Sequence, residues 1–407
     1  MDEQSLYSRL AEPSETKIVL LVLDGVGDLR TAEQPRTALE AANTPHLDAL
    51  AERGALGRIV PVAPGITPGS GPGHLALFGY DPRLPEVDIG RGVLEALGLG
   101  LVLRRGEVAV RGNFATADAQ GNLVDRRAGR PPTEECRRIC ALLQEALDAE
   151  PVPGLEVQVV PGEAHRFVLV LRGENLSAEI RDTDPQHVGV PALAPEPRLP
   201  EAQPTVDRLE RALVIMRRAI ADEPKANEVL LRGFSKLPHL PSWEELYHLR
   251  AGAFAGYPLY RGVASACGME VVECGKRIGD ILDQVERHWQ DFDFFFLHVK
   301  QTDQAGEDGN LPAKVAVLEE VDAALPRLLE LAPDVVAVTG DHSTPAPMAA
   351  HSWHPVPLLL WSEHCYVDDR RRFTEEEAIH GHLGTFPARY LTPMMLANAG
   401  RLKKFGA

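Results

Sequence analysis

The chain has 407 residues, 44% hydrophobic and 25% charged, with a formal net charge of −17 at pH 7. These proportions exclude a disordered chain, a fibre or a small disulfide scaffold, and the length allows two to three domains or one large domain with an insertion. The acidic balance argues against nucleic acid and anionic membranes as partners, so an anionic substrate requires metals or clustered arginines to reverse the field locally. Ile18 to Leu23 (IVLLVL) is a continuous apolar run of strand length, and its β-branched content predicts a strand buried on both faces. It ends at Asp24-Gly25-Val26-Gly27-Asp28, where a carboxylate beside glycines allows close approach of backbone and ion. A helical pattern follows from Pro45 to Arg53. Next comes Pro68-Gly69-Ser70-Gly71-Pro72-Gly73-His74, leading into a predicted helix. A hydroxyl there is placed for nucleophilic attack, and free helix N–H groups can hold an anion. No GxSxG elbow is present, which disfavours a serine-hydrolase triad.

From about Arg104 to Lys236 the pattern changes. The strands Glu107 to Arg111, Glu156 to Val160 and Arg166 to Leu171 are short and alternate more. Pro-rich connections interrupt them, especially Pro185 to Pro204, and arginine is frequent. This stretch is expected to be a second α+β domain, 104–236, inserted into a first formed by 1–103 and 237–407. Beyond it, helical patterns at Lys276 to His288 and Lys314 to Leu331 alternate with strands at Asp293 to Val299, Asp334 to Thr339 and Val356 to Trp361. Such alternation predicts an α/β fold with a mainly parallel sheet flanked by helices.

In such sheets ligands collect beyond the carboxyl ends of strands. Asp24, Asp303 and the pair Asp341-His342 each follow a predicted strand, directly or after a short turn. One Asp in this place is often only a helix cap; three from distant segments point to a metal edge. Thr302-Asp303-Gln304-Ala305-Gly306-Glu307, Thr339-Gly340-Asp341-His342 and His351-Ser352-Trp353-His354 supply mixed Asp and His donors. Such donors suit Mn²⁺, Zn²⁺ or another first-row divalent ion. Two such ions ~4 Å apart can clamp an in-line phosphoryl displacement. The five cysteines, with no CxxC pair, read as free thiols of a reducing compartment. The polar, acidic N-terminus lacks the form of a signal peptide, and no apolar run approaches the ~20 residues of a membrane span. A cytoplasmic location is expected.

The strings LVLDGVGD, ANTPHLDALAERG, GSGPGHLALFGYDP, VRGNFATAD, DRRAGR, TDQAGEDGN, TGDHSTP and HSWHPVP run through nearly the whole chain. In this order they resemble the cofactor-independent (2,3-bisphosphoglycerate-independent) phosphoglycerate mutases of the shorter archaeal type, in the alkaline phosphatase superfamily. The resemblance implies an alkaline-phosphatase-like core with an inserted lid domain. It also implies interconversion of 3-phosphoglycerate and 2-phosphoglycerate without added 2,3-bisphosphoglycerate. Ser70 takes the nucleophile's place. Asp24, Ser70, Asp341 and His342 take the places of one metal's ligands, and Asp303 and His351 those of the other's. Two divalent ions are implied, Mn²⁺ first, with Mg²⁺, Co²⁺ or Zn²⁺ as alternatives. The family carries a His four residues after the second-site Asp; here Glu307 stands there, a harder, more negative donor.

The substrate bears a phosphate and a carboxylate, which arginine forks bind. Candidates are Arg111 with Asn113, Arg126, Arg127 and Arg130 of DRRAGR, His165 with Arg166, Arg232, and Arg261 from the first domain. Asp125 is expected to orient an arginine or act as the acid/base for the substrate hydroxyl. The rival reading is another phosphotransferase, phosphatase or phosphonate hydrolase of the superfamily, sharing the core ligands; VRGNFATAD and DRRAGR favour the mutase.

Overall fold

The computed structural model describes residues 3–406. Its strands, in chain order, are β1 (Ile18–Leu23), β2 (Ala55–Val60), β3 (Val108–Ala117), β4 (Leu123–Asp125), β5 (Glu156–Pro161), β6 (Arg166–Arg172), β7 (Glu228–Lys236), β8 (Ala251–Ala255), β9 (Glu270–Val272), β10 (Phe294–Val299), β11 (Val335–Thr339), β12 (Val356–Ser362) and β13 (Gly384–Pro387). The chain divides into two compact units, Met1–Asp88 with Leu240–Ala407, and Ile89–His239. The second unit takes in the helix Arg91–Gly98, which the expected boundary at 104 leaves in the first.

The first unit is built on a sheet of order β13-β2-β12-β11-β1-β10-β8-β9. Only β12 runs against its neighbours. β1, β10 and β11 are buried along their whole length, which is why each reads as an unbroken apolar run. Leu23 pairs with Val299, and Val22 with Thr339. This register ends the three central strands at one edge. It gathers there the segments that succeed them: Asp24, Lys300 with the helix Gln301–Glu307, and the Gly340–Thr344 turn. The helix Leu311–Glu330 keeps Pro326 within it and sends Lys314 into the interior.

The second unit is an antiparallel sheet of order β4-β3-β6-β5, with β7 also paired to β3. The helices Thr133–Ala149 and Gln203–Ala219 cover one face. Val108, Val110 and Phe114 of β3 enter that core with Cys136, Cys140, Leu143, Leu209 and Met216. Strand side chains alternate, so Arg111 and Asn113 fall on the opposite face. The register sets Arg232 of β7 opposite Arg111, and Arg166 of β6 opposite Asn113. A cluster of polar side chains thus comes from strand pairing alone.

Candidate functional site

At the edge of the larger sheet, Asp24, Asp303, Asp341 and His342 are fully buried. Ser70 begins the helix Ser70–Leu77, after Gly69 as N-cap. Gly73 lets this helix lie against the Asp341 turn, since a Cβ there would meet the Asp341 carbonyl oxygen at 2.4 Å. Gly25 has φ of +61°, and a Cβ there would strike Asp303 Oδ1 at 2.6 Å. Two donor groups result, Asp24–Asp341–His342 and Asp303–His342–His351.

In the first group His342 Nε2 lies 3.3 Å from Asp24 Oδ1, 3.3 Å from Asp341 Oδ2 and 3.4 Å from Ser70 Oγ. The other oxygen of each carboxylate is engaged: Asp24 Oδ2 is 2.9 Å from His298 Nε2, and Asp341 Oδ1 accepts from the Gly25 N–H at 3.2 Å. Asp24 Oδ1 and Asp341 Oδ2 receive no hydrogen bond. Burying an ionised carboxylate costs several kcal/mol unless a charge or donor meets it. Converging oxygens, an imidazole nitrogen and a hydroxyl fit a divalent cation of intermediate hardness.

Thr344 Oγ1 donates to Asp303 Oδ1 at 2.5 Å and lies 3.0 Å from His342 Nδ1. Its one proton is thereby committed, so His342 Nδ1–H donates to Thr344, and Nε2 is the nitrogen turned to the first group. His351 Nδ1 meets the Pro68 carbonyl at 3.0 Å, which frees its Nε2 in the same way. That Nε2 lies 3.5 Å from Asp303 Oδ1 and 3.6 Å from Glu307 Oε1. Glu307 is half-exposed. Glu307 is the other carboxylate beside His351 Nε2, outside the two donor groups. His354 turns away, bonded to Ser352 and stacked on Trp353.

Burial raises the Asp24 carboxyl, but His298, His342 and Lys300 outweigh it and hold its pKa well below the ordinary value. Burial lowers the His342 imidazole, yet Asp341, Asp24 and Asp303 carry it up to about 9. Lys300 Nζ sits 2.5 Å from Asp303 Oδ2 and 3.5 Å from Asp24 Oδ2. The sequence alone assigns no role to Lys300, Tyr260, His74 or His298. His298 and Lys300 stand at the end of β10, where strand-end position was the available signal. His74 lies one helical turn after Ser70, with its Nδ1 3.2 Å from Asp341 Oδ2. Tyr260 sits in a helix far from the ligand motifs, and only packing brings it in; it stacks on His298 at 3.7 Å between ring centroids.

In the second unit Arg111, Asn113, Arg126, Arg127, Arg130, His165, Arg166 and Arg232 line one cavity of about 410 Å³. Not all of the arginines are free for a ligand. Arg126 forms a bidentate pair with Asp184 at 2.8 and 2.7 Å, and Arg232 lies 3.5 Å from the same carboxylate. Arg127, Arg130 and Arg166 have no ion pair among the described residues. Burial, then Arg166, Arg111, Arg127 and Arg130, push the His165 imidazole down to about 4. Its Nδ1 is buried without a hydrogen-bond partner. The acid/base role expected of Asp125 finds no support in this geometry. Both its oxygens accept backbone N–H groups, from Arg127 at 2.8 Å and Gly129 at 2.6 Å. They hold a loop with positive φ at Ala128, Gly129 and Arg130, a strained conformation that presents the arginines. Arg261 belongs to the first unit, in the helix Pro258–Ala266, 3.8 Å from Glu273.

Fold and site define an α/β protein with a metal-type donor cluster beside a serine, and an inserted unit with an arginine cavity. Residues 51–226 match the family model described as 2,3-bisphosphoglycerate-independent phosphoglycerate mutase. A Thermotoga neapolitana protein named "Probable 2,3-bisphosphoglycerate-independent phosphoglycerate mutase" is 49% identical over 409 residues, covering 100% of both chains. A solved structure of a Pyrococcus horikoshii protein superposes with TM-score 0.79 at 30% identity, over 96% of this chain and 99% of that one. The cofactor-independent phosphoglycerate mutase of Thermoplasma acidophilum gives TM-score 0.75 at 29% identity, over 94% and 100%. The chain belongs to the family of 2,3-bisphosphoglycerate-independent phosphoglycerate mutases. No helix among the described residues is long and apolar enough to cross a membrane.

Proposed function

We propose that this chain interconverts 3-phosphoglycerate and 2-phosphoglycerate through a phosphoserine on Ser70, with two divalent ions, Mn²⁺ first among the candidates. The observation that carries this reading is the convergence of Ser70 Oγ, Asp24 Oδ1 and Asp341 Oδ2 on His342 Nε2. Asp24, Asp341, His342 and Ser70 would hold one ion; Asp303, His351 and Glu307 would hold the other. When bound, such ions lower the pKa of the serine hydroxyl and neutralise phosphoryl oxygens.

Ser70 gives up its hydroxyl proton, and its Oγ attacks the phosphorus of 3-phosphoglycerate in line. The new O–P bond forms as the bond to the substrate's 3-oxygen breaks, and the glycerate 3-oxygen takes up a proton. After the glycerate turns, its 2-hydroxyl loses a proton and attacks the phosphoserine; the Oγ–P bond breaks and Ser70 Oγ takes up a proton. The unpaired arginines, Arg127, Arg130 and Arg166, suit the anionic groups of phosphoglycerate.

Chelator-stripped protein, titrated with Mn²⁺ in 3-phosphoglycerate, is expected to form 2-phosphoglycerate without 2,3-bisphosphoglycerate in an enolase-coupled assay. Ser70→Ala is expected to lose at least a thousandfold in kcat. Free phosphate in place of 2-phosphoglycerate would mark a hydrolase; substantial mutase turnover by Ser70→Ala would remove Ser70 as the nucleophile.

A further inference from the structure

Lys314 is fully buried and takes no part in the proposed chemistry. A lysine is seldom enclosed unless its three N–H donors are met. Here all three are. Nζ donates to the Gly25 carbonyl at 2.9 Å, the Gly27 carbonyl at 3.3 Å and the Thr344 carbonyl at 2.9 Å. Gly25 and Gly27 belong to the turn that follows Asp24, and Thr344 to the turn that follows Asp341-His342. One ammonium therefore ties together the two loops that carry the first donor group. The Thr344 N–H reinforces the tie, reaching Gly25 O at 3.2 Å and Gly27 O at 3.1 Å.

The consequence reaches the donor atoms through Thr344. Its hydroxyl bonds Asp303 and meets His342 Nδ1, so its position fixes which imidazole nitrogen faces Thr344 and which faces Asp24. A Thr344 carbonyl anchored by Lys314 keeps that hydroxyl in place. We infer that Lys314 is a positioning residue for the metal centre, an interior clamp that fixes Asp24, His342 and Asp303 relative to one another. This rests on the reading of that cluster as a metal site.

The test compares Mn²⁺ affinity of the full chain with that of Lys314→Met, from the free-Mn²⁺ electron paramagnetic resonance signal, with thermal melting alongside. Methionine keeps the length of the stem and removes the donors. The expected result is a cooperatively folded variant that binds Mn²⁺ about 10–100-fold more weakly, the usual loss when a group supporting a ligand is removed. In Zn²⁺-loaded protein, ¹⁵N spectra are expected to show the His342 Nδ1–H signal, sharp in the wild type, lost to exchange in Lys314→Met, which a loss of bulk packing alone would not produce. Lys314→Arg keeps the charge but replaces the compact ammonium by a planar fork; it is expected to weaken Mn²⁺ binding as well. A folded variant of either kind that binds Mn²⁺ within twofold of the wild type overturns the inference. So does the failure of both to fold, because the residue would then be a condition of the fold and not of the site. Wild type that takes up no Mn²⁺ overturns the metal reading itself, and the inference with it.

Discussion

His165 is a gauge of the arginine cavity. Its imidazole is buried, unpartnered at Nδ1, and pushed down to about 4 by burial and four arginines. A bound trianion opposes that field, so the sign of the change is upward. Titration of His165 by NMR is expected to show a pKa raised by about one unit or more with 3-phosphoglycerate present; an unmoved titration would place the substrate elsewhere. Single residues were unevenly legible in the sequence. Asp24, Asp341 and His342 follow long apolar strands and announce themselves. Arg126 and Arg127 stand side by side in DRRAGR, yet Arg126 is committed to Asp184, a partner 58 residues away. Asp125 invited an acid/base reading because the fold of its own loop, which consumes both oxygens, is invisible in its composition. Glu307 is singled out through resemblance, and the geometry adds only that its carboxylate lies 3.6 Å from His351 Nε2.

At the scale of elements, three strands, β1, β10 and β11, were readable because burial on both faces leaves no polar interruption. The reversed direction of β12 was not, since an apolar run has no polarity of its own. The turn after β1 shows how elements are tied together. Asp28 accepts from Ala38 N–H at 3.0 Å and Ala346 N–H at 3.1 Å. Glu375, at the start of the helix Glu375–Ile379, accepts from Asp28 N–H at 3.0 Å and Thr37 Oγ1 at 2.6 Å. Burial raises the Glu375 carboxyl to about 7; the bonds from Thr37 and the backbone oppose this, Asp28 adds to it and Lys314 opposes it. The folded pKa thus exceeds the ordinary value of 4.5. Between about 4.5 and 7 the unfolded chain gives up a proton that the folded chain keeps, so stability falls as pH rises through that window. Above it the deficit is constant, and below it absent. Glu375→Gln keeps an acceptor for Asp28 and meets the Thr37 hydroxyl with an amide. Calorimetry is expected to show Tm raised by about 2–4 °C at pH 8 and unchanged at pH 4. An equal gain at both pH values would assign the effect to packing, not to the charge.

The whole molecule divides its charge as it divides its structure. Residues 89–239 hold 20 Lys and Arg against 22 Asp and Glu, and the rest of the chain holds 22 against 37. Most of the net charge of −17 thus falls on the unit with the donor cluster, where it favours cations, while the inserted unit is near neutral. Composition of the whole chain concealed this, and the arginine-rich middle was legible only as a local change of pattern. Its boundary was less so, because Arg91–Gly98 is an ordinary amphipathic helix whose partners, β3 and β7, come later in the chain. The inserted unit is continuous in sequence and closes a core of its own, from Val108 and Phe114 on the sheet to Leu143 and Leu213 on the helices. A segment of that size with one core is expected to fold without the rest. Residues 89–239 produced alone are expected to melt cooperatively and to keep the His165 pKa near 4, since burial and all four arginines that lower it lie within the segment. A fragment without a cooperative transition would show that the first unit completes this core. A folded fragment with His165 near its ordinary value of 6.5 would show that the arginine field is assembled only in the full chain.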